Sequence, residues 1–159
     1  MSSVVRMRVC ISVPRDPDRP PSLPDILTDL LRRAGVDKSS TIRVTGHAGL
    51  AALLWFCRHG YDQVGYVRGG PCPAEDGDLV LARQTQDLAS LDAMLRHGPH
   101  PRAGGVLIVQ TPLYERAPTD PVHDLLIRAG YRVERCLHGH HRELHVARRR
   151  VSPPMRKAA

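Results

Sequence analysis

Three groups of residues hold the chemical possibilities of this chain. The first is the turn Gly46-His47-Ala48-Gly49, set between an apolar-alternating run, Thr41 to Thr45, and a strongly apolar one, Leu50 to Cys57. A glycine turn that opens a helix presents free N–H groups and the positive end of the helix dipole, the means of holding an anion or a nucleotide. The plain alternative is a tight strand-to-helix connection with no ligand. The second group is Cys136, His138, His140, His141 and His145. These are the nitrogen and sulfur donors that zinc prefers, and side chains two apart on a strand share a face, which would align Cys136, His138 and His140. The spacing fits no established zinc pattern, and a hairpin tip over His138 to His141 would turn its side chains into water. No metal is assigned; a solvated, His-rich turn is the simpler reading, with a basic, pH-sensitive surface as an intermediate one. The third group is Arg148-Arg149-Arg150 with Arg156-Lys157. It could grip phosphates with salt-dependent affinity or simply solubilise the tail. No aromatic residues interleave with it to stack bases. Glu75, Asp76 and Asp78 read as a solvated acidic turn. No Ser-His-Asp or Cys-His nucleophile arrangement can be read.

The whole chain bounds these choices. At 159 residues it is most simply one domain with a real core. Aromatics are only 4%, so that core should be aliphatic. The net charge of +7 favours polyanions but says nothing about fold. Cys10, Cys57, Cys72 and Cys136 form no CxxC, which reads as reduced thiols in a cytoplasmic protein. No apolar run approaches the ~20 residues that span a membrane, so no membrane partner is expected. Arg6 and Arg8 interrupt the N-terminal apolar stretch and argue against a signal peptide.

The elements that must position these groups follow in order. Val4 to Val13 alternates like a strand, and a proline-rich segment follows, so 1–23 stands apart from the body. A helix is expected from about Pro24, capped by Ser22, with Asp25 in its first turn and Ile26, Leu27, Leu30 and Leu31 on its apolar face, ended by Gly35. Thr41 to Gly70 then reads as strand, glycine turn, helix and strand, a βαβ unit of about 30 residues. Asp78 to Arg83 reads as a buried strand and Ser90 to His97 as a helix with Leu91, Met94 and Leu95 inward. Gly98 to Gly105 reads as a turn, and Gly105 to Gln110 as a strand covered on both faces. Thr111 to Thr119 is a loop. Asp120-Pro121 should start a helix that ends at Gly130. Tyr131 to Leu137 and Glu143 to Arg149 pair as an antiparallel hairpin. The body is then 24–150 and the remainder, 151–159, a disordered basic tail.

Strands alternating with helices imply a Rossmann-like, mostly parallel sheet with helices on both faces, here finished by an antiparallel hairpin. That ending resembles the class I S-adenosylmethionine-dependent methyltransferase fold over roughly residues 24 to 149. The matching residues are Gly104-Gly105-Val106-Leu107-Ile108-Val109, then Leu125 to Val133, then Leu144 to Arg148. Asp78 to Leu81 resembles that family's fourth strand. Only Pro71 to Gly77 precedes it, so the family's third strand is expected to be missing.

The cofactor motifs depart from the family. Val44 stands where an acid contacts the methionine moiety, Ala48 and Leu50 stand at glycine positions, and Arg68 takes the place of the acid that accepts from the ribose hydroxyls. Arginine cannot accept a hydrogen bond. There is no Asn/Asp-Pro-Pro-Tyr tetrad after the fourth strand. The resemblance therefore implies a methyltransferase-like domain that has lost catalysis and acts through protein contacts, as a homodimer or an accessory protein. Two alternatives stand beside it: an active S-adenosylmethionine-dependent methyltransferase with an atypical turn, and a nucleic-acid-binding regulator using the basic tail. If a ligand binds, it should lie at the carboxyl ends of the strands, against Thr45, Gly46, His47, Gly49, Arg68, Arg83, Gln84 and Thr111.

Overall fold

The computed structural model describes residues 23–68, 77–114 and 119–152. The expected N-terminal strand, the Ser22 cap, Glu75 and Asp76, Cys10 and Cys72, and the tail from 153 lie outside the described residues.

The first helix, α1 (Leu23–Arg33), places Leu30 and Leu31 in the core, with Ile26 and Leu27 packed against it. Gly35 ends it in a left-handed conformation (φ 76°), and the Val36 N–H donates back to the Leu31 carbonyl at 2.9 Å. This six-to-one bond satisfies a carbonyl the helix leaves orphaned. The central unit follows as β1 (Ile42–Gly46), α2 (Gly49–Arg58) and β2 (Val64–Tyr66). Then come β3 (Gly77–Arg83), α3 (Leu88–His97), β4 (Pro101–Pro112), α4 (Pro121–Arg128), β5 (Tyr131–His138) and β6 (Arg142–Arg149).

The six strands form one sheet in the order β2-β1-β3-β4-β6-β5. β1 pairs in parallel with β2 and β3, and β3 with β4; β6 runs antiparallel to both β4 and β5. Among the described residues β2 is the sheet edge, and the next strand after it in the chain is β3. One face packs against α1 and α2 through Ile42, Val44, Leu79, Leu81, Val106, Ile108 and Phe56. The other packs against α3 and α4 through Val80, Leu107, Val109, Leu91, Leu95, Val122 and Leu126. The continuous apolar run of β4 is thus buried on both sides, each such side chain contributing roughly 1.5–3 kcal/mol.

One expectation is corrected. The turn read at Gly98 to Gly105 is largely strand: β4 begins at Pro101, which pairs with Gly77, and the register shifts between Gly77 and Leu79. Gly104, at φ 78°, lies in the four-residue stretch of β4 over which that register shifts. Cys57, at the end of the apolar run Leu50 to Cys57, is exposed. Its neighbours Trp55 and Phe56 do pack. Phe56 is fully buried and sits edge-on to Tyr61 at 5.1 Å, while Trp55 stacks on His59.

A carboxylate staples the amino-terminal edge of the sheet. Asp78 accepts from Arg102 Nε at 2.6 Å and from the Thr41 N–H at 2.8 Å, joining β3 to the segment before β1 and to β4. The Arg102 guanidinium, with that N–H, holds Asp78 below the usual carboxylate range. Arg148 does the same for Glu134, the Ser39 hydroxyl for Asp37, and the Ser90 N–H for Asp87. Carboxylates with depressed folded-state values stabilise fully above their unfolded pKa, and that stability is lost as pH falls through the folded value. The urea midpoint should therefore fall steeply below about pH 4. In Asp78→Asn it should start lower at pH 6 and fall by less.

Candidate functional site

Chain reversal around β1 creates the site. From β1 the chain moves outward to β2, then returns past β1 to β3, so the carboxyl ends of β1 and β3 flank a topological switch point, where open α/β sheets bind ligands. A cleft of about 550 Å³ opens there. Of the residues expected at a ligand, Thr45, Gly46, His47, Arg68, Arg83 and Gln84 all border it. Gly49 and Thr111 do not. Gly49 is buried at the start of α2, with the Tyr66 ring lying where its Cβ would be, 2.5 Å from Cε2. Its lack of a side chain serves close helix-to-strand packing. Thr111 is buried at the end of β4, its Oγ1 3.3 Å from His145 Nε2.

Backbone crowding accounts for the glycine at 46. Gly46 has φ 90°, and a Cβ there would stand 2.2 Å from the Arg83 carbonyl oxygen. The ends of β1 and β3 approach so closely that only hydrogen fits. The Thr45 hydroxyl donates to the Val67 carbonyl at 3.1 Å, tying the segment after β2 across the end of β1. The Thr85 hydroxyl and N–H both donate to the Gln110 carbonyl, doing the same between β3 and β4.

Among the described residues only two non-glycine positions have positive φ, Ala48 at 57° and Gln84 at 54°. One follows β1 and the other follows β3. Left-handed backbone with a Cβ costs about 1–2 kcal/mol, and such residues concentrate at binding sites. Ala48 is also the N-cap of α2, whose first turn has no capping side chain and no acid. Ala48→Gly should raise stability by about 1 kcal/mol, because glycine adopts this conformation without the steric cost. Chemical denaturation checks this, and a variant less stable than the parent would contradict the strain.

The lining of the cleft is basic. Arg68 and Arg83 face it with His47 and His97, and no described residue that lines it is acidic. Val44, at the position of the family's acid, is fully buried beneath α2 and cannot reach a ligand. Met94, His97, Gly98 and Pro99, from the end of α3 and beyond, complete the wall and were not expected. Only the pairing of β3 with β4 brings that segment across.

The histidine-rich hairpin divides differently from its sequence spacing. His140 and His141 are exposed at the turn, and His140 does not converge with His138. Cys136 instead faces His145 across the hairpin, and His138 faces Glu143. Glu143 is 4% exposed and His145 is fully buried, on the face that packs against α4. The Arg-rich end is also partly internal. Arg148 donates to Glu134 and to the Gly104 and Ala34 carbonyls, and Arg149 donates to the Pro101 carbonyl. Those two arginines hold β6 in place rather than extend as a free phosphate grip.

No protein-family model and no curated protein matches the sequence. Solved structures do match. The ribosomal protein L11 methylase of Lactobacillus delbrueckii subsp. bulgaricus is 13% identical over 80% of this chain and 78% of its own, with a TM-score of 0.56. A methyltransferase in complex with the Haloferax volcanii Trm112 methyltransferase activator is 11% identical over 80% and 89%, with a TM-score of 0.54. A glycopeptide N-methyltransferase complexed with S-adenosylmethionine is 11% identical over 80% and 94%, with a TM-score of 0.51. The fold is that of the class I methyltransferases, with six strands and a closing hairpin. No helix among the described residues is long and apolar enough to cross a membrane.

Proposed function

We propose that this chain is a methyltransferase-like binding domain that does not transfer methyl groups, and that its cleft takes a small anionic ligand, a phosphate or carboxylate compound. The lining of the cleft carries this reading: two arginines and two histidines, with no carboxylate among the described residues. S-adenosylmethionine brings a sulfonium and an ammonium, and an ammonium needs acceptors, which arginine does not supply. A guanidinium fork suits phosphate and carboxylate oxygens.

Calorimetric titration with S-adenosylmethionine, S-adenosylhomocysteine, adenosine monophosphate and pyrophosphate tests the reading. The expected result is heat from the phosphate compounds, weakening as salt rises, and none from S-adenosylmethionine at millimolar concentration. Micromolar binding of S-adenosylmethionine, followed by methyl transfer to any acceptor, would establish the active-enzyme alternative instead.

A second reading, contact with a protein, rests on a separate observation. Leu50 and Leu54 on the outer face of α2 are 60% and 48% exposed, and Tyr66 on the neighbouring edge strand is 40% exposed. Apolar side chains beside a strand edge that is unpaired among the described residues suit a second copy of the chain or an accessory partner. Light scattering of the parent and of Leu54→Lys distinguishes these: a dimer dissociated by the lysine places the contact on this flank.

A further inference from the structure

We infer that the chain binds one divalent transition-metal ion, zinc foremost, between α4 and the closing hairpin, through His123, Cys136, His145 and Glu143. One ligand atom each from His123, Cys136 and His145 already lies within 4.8 Å of the others. Two overlapping groups meet the same limit: Cys136, His138 and Glu143, and Asp120, Glu143 and His145. Tetrahedral zinc with bonds of about 2.0–2.3 Å sets its ligand atoms roughly 3.3–3.7 Å apart, so closing His123, Cys136 and His145 on an ion takes a movement of about 1 Å, while Glu143 lies within the same reach of Cys136 and His145 but shares no such group with His123.

The geometry distinguishes ligands from supports. Glu143 Oε2 lies 3.3 Å from His145 Nε2 and 4.0 Å from Cys136 Sγ. Its other oxygen, Oε1, is held by His138 Nδ1 at 2.7 Å. One carboxylate oxygen thus faces two soft donors while the other is anchored from outside, as a second-sphere histidine anchors a ligating carboxylate. His123 comes from α4, its ring 5.6 Å from that of His145. Its Nε2 is buried with no hydrogen-bond partner among the described residues, and Asp120 Oδ2 is 3.8 Å away. α4 is fixed in turn by its cap, since the Asp120 carboxylate accepts the Val122 and His123 N–H groups. A thiolate and a carboxylate would balance the two charges of the ion, which a buried cation requires.

The test uses the full chain, stripped with EDTA and titrated with cobalt(II) chloride, then with zinc chloride. One equivalent of cobalt should bind with the visible bands of a tetrahedral site and a thiolate charge-transfer band, and zinc should displace it. Cys136→Ser should abolish the charge-transfer band while circular dichroism stays unchanged. His123→Ala, at a half-buried position, should abolish tight binding in a folded protein. Glu143→Gln should weaken affinity by more than about 100-fold, beyond the roughly 10–100-fold that loss of an outer-shell group would give, and a smaller loss would remove Glu143 from the ligand set. His140→Ala/His141→Ala should leave stoichiometry and spectrum intact. The inference is overturned by the absence of stoichiometric cobalt, by a thiolate band that survives Cys136→Ser, or by binding that only the His140 and His141 variant removes. Thermal melting gives a readout independent of any activity, since a site present only in the folded state raises the midpoint by mass action.

Discussion

Gly46→Val is expected to lose roughly 2–5 kcal/mol of stability, the sum of left-handed strain and forced displacement of packed backbone. For a chain of this length that is a fall in melting midpoint on the order of 10 °C. The position combines φ 90° with a carbonyl oxygen 2.2 Å from where the first side-chain carbon would stand. That oxygen belongs to Arg83 in a strand paired with its own, so it cannot rotate aside. Gly60 provides the comparison: its φ is 80°, but nothing lies within 4 Å of an added Cβ. Gly60→Ala should therefore lose only about 1 kcal/mol. Equal losses in the two variants, measured by urea denaturation, would mean that the close approach of β1 to β3 contributes nothing. The wider consequence concerns reading glycine turns. Here the first glycine answers to sheet geometry and the second to the Tyr66 ring, before any ligand is considered.

Removing both cleft arginines should have the largest effect on binding. A hydrogen bond to a charged group contributes about 1.5–3 kcal/mol, so Arg68→Ala/Arg83→Ala should weaken pyrophosphate by about 100-fold or more. Arg68 is exposed and Arg83 half-buried, both facing the cleft, so the melting midpoint should stay close to that of the parent. The salt dependence should flatten in the same variant, because fewer charges then act on the anion. Binding that persists unchanged would move the ligand elsewhere and sink the anionic-cleft reading. Arg68→Lys is a useful intermediate: it keeps the charge and loses the planar fork.

Periodicity and punctuation made most of the fold legible from the residues alone. Apolar spacing in Leu27 to Leu31 and Leu91 to Leu95 marked helices that do bury Leu30, Leu31, Leu91 and Leu95. The Asp120-Pro121 start and the Gly35 and Gly130 stops were readable because caps are local chemistry, decided within one turn of chain. The continuous run in β4 announced a strand covered on both faces, and its finish in a hairpin pointed to the methyltransferase-like order. The candidate cleft was readable to the extent that it sits at strand ends: Gly46, His47, Arg68, Arg83 and Gln84 all follow directly from strand boundaries. What escaped was set by pairing between distant segments. Pro101 joins β4 because Gly77 stands opposite it. The wall formed by His97 and Pro99 faces Arg68 only once β3 lies between β1 and β4. Glu143 and His145 are the polar side of an alternating run, a side that commonly faces water. β6 is instead an interior strand with α4 across that face, so both of its sides are buried. Local sequence decides which residues alternate; only the order of strands in the sheet decides whether the polar side of that alternation meets water or another layer.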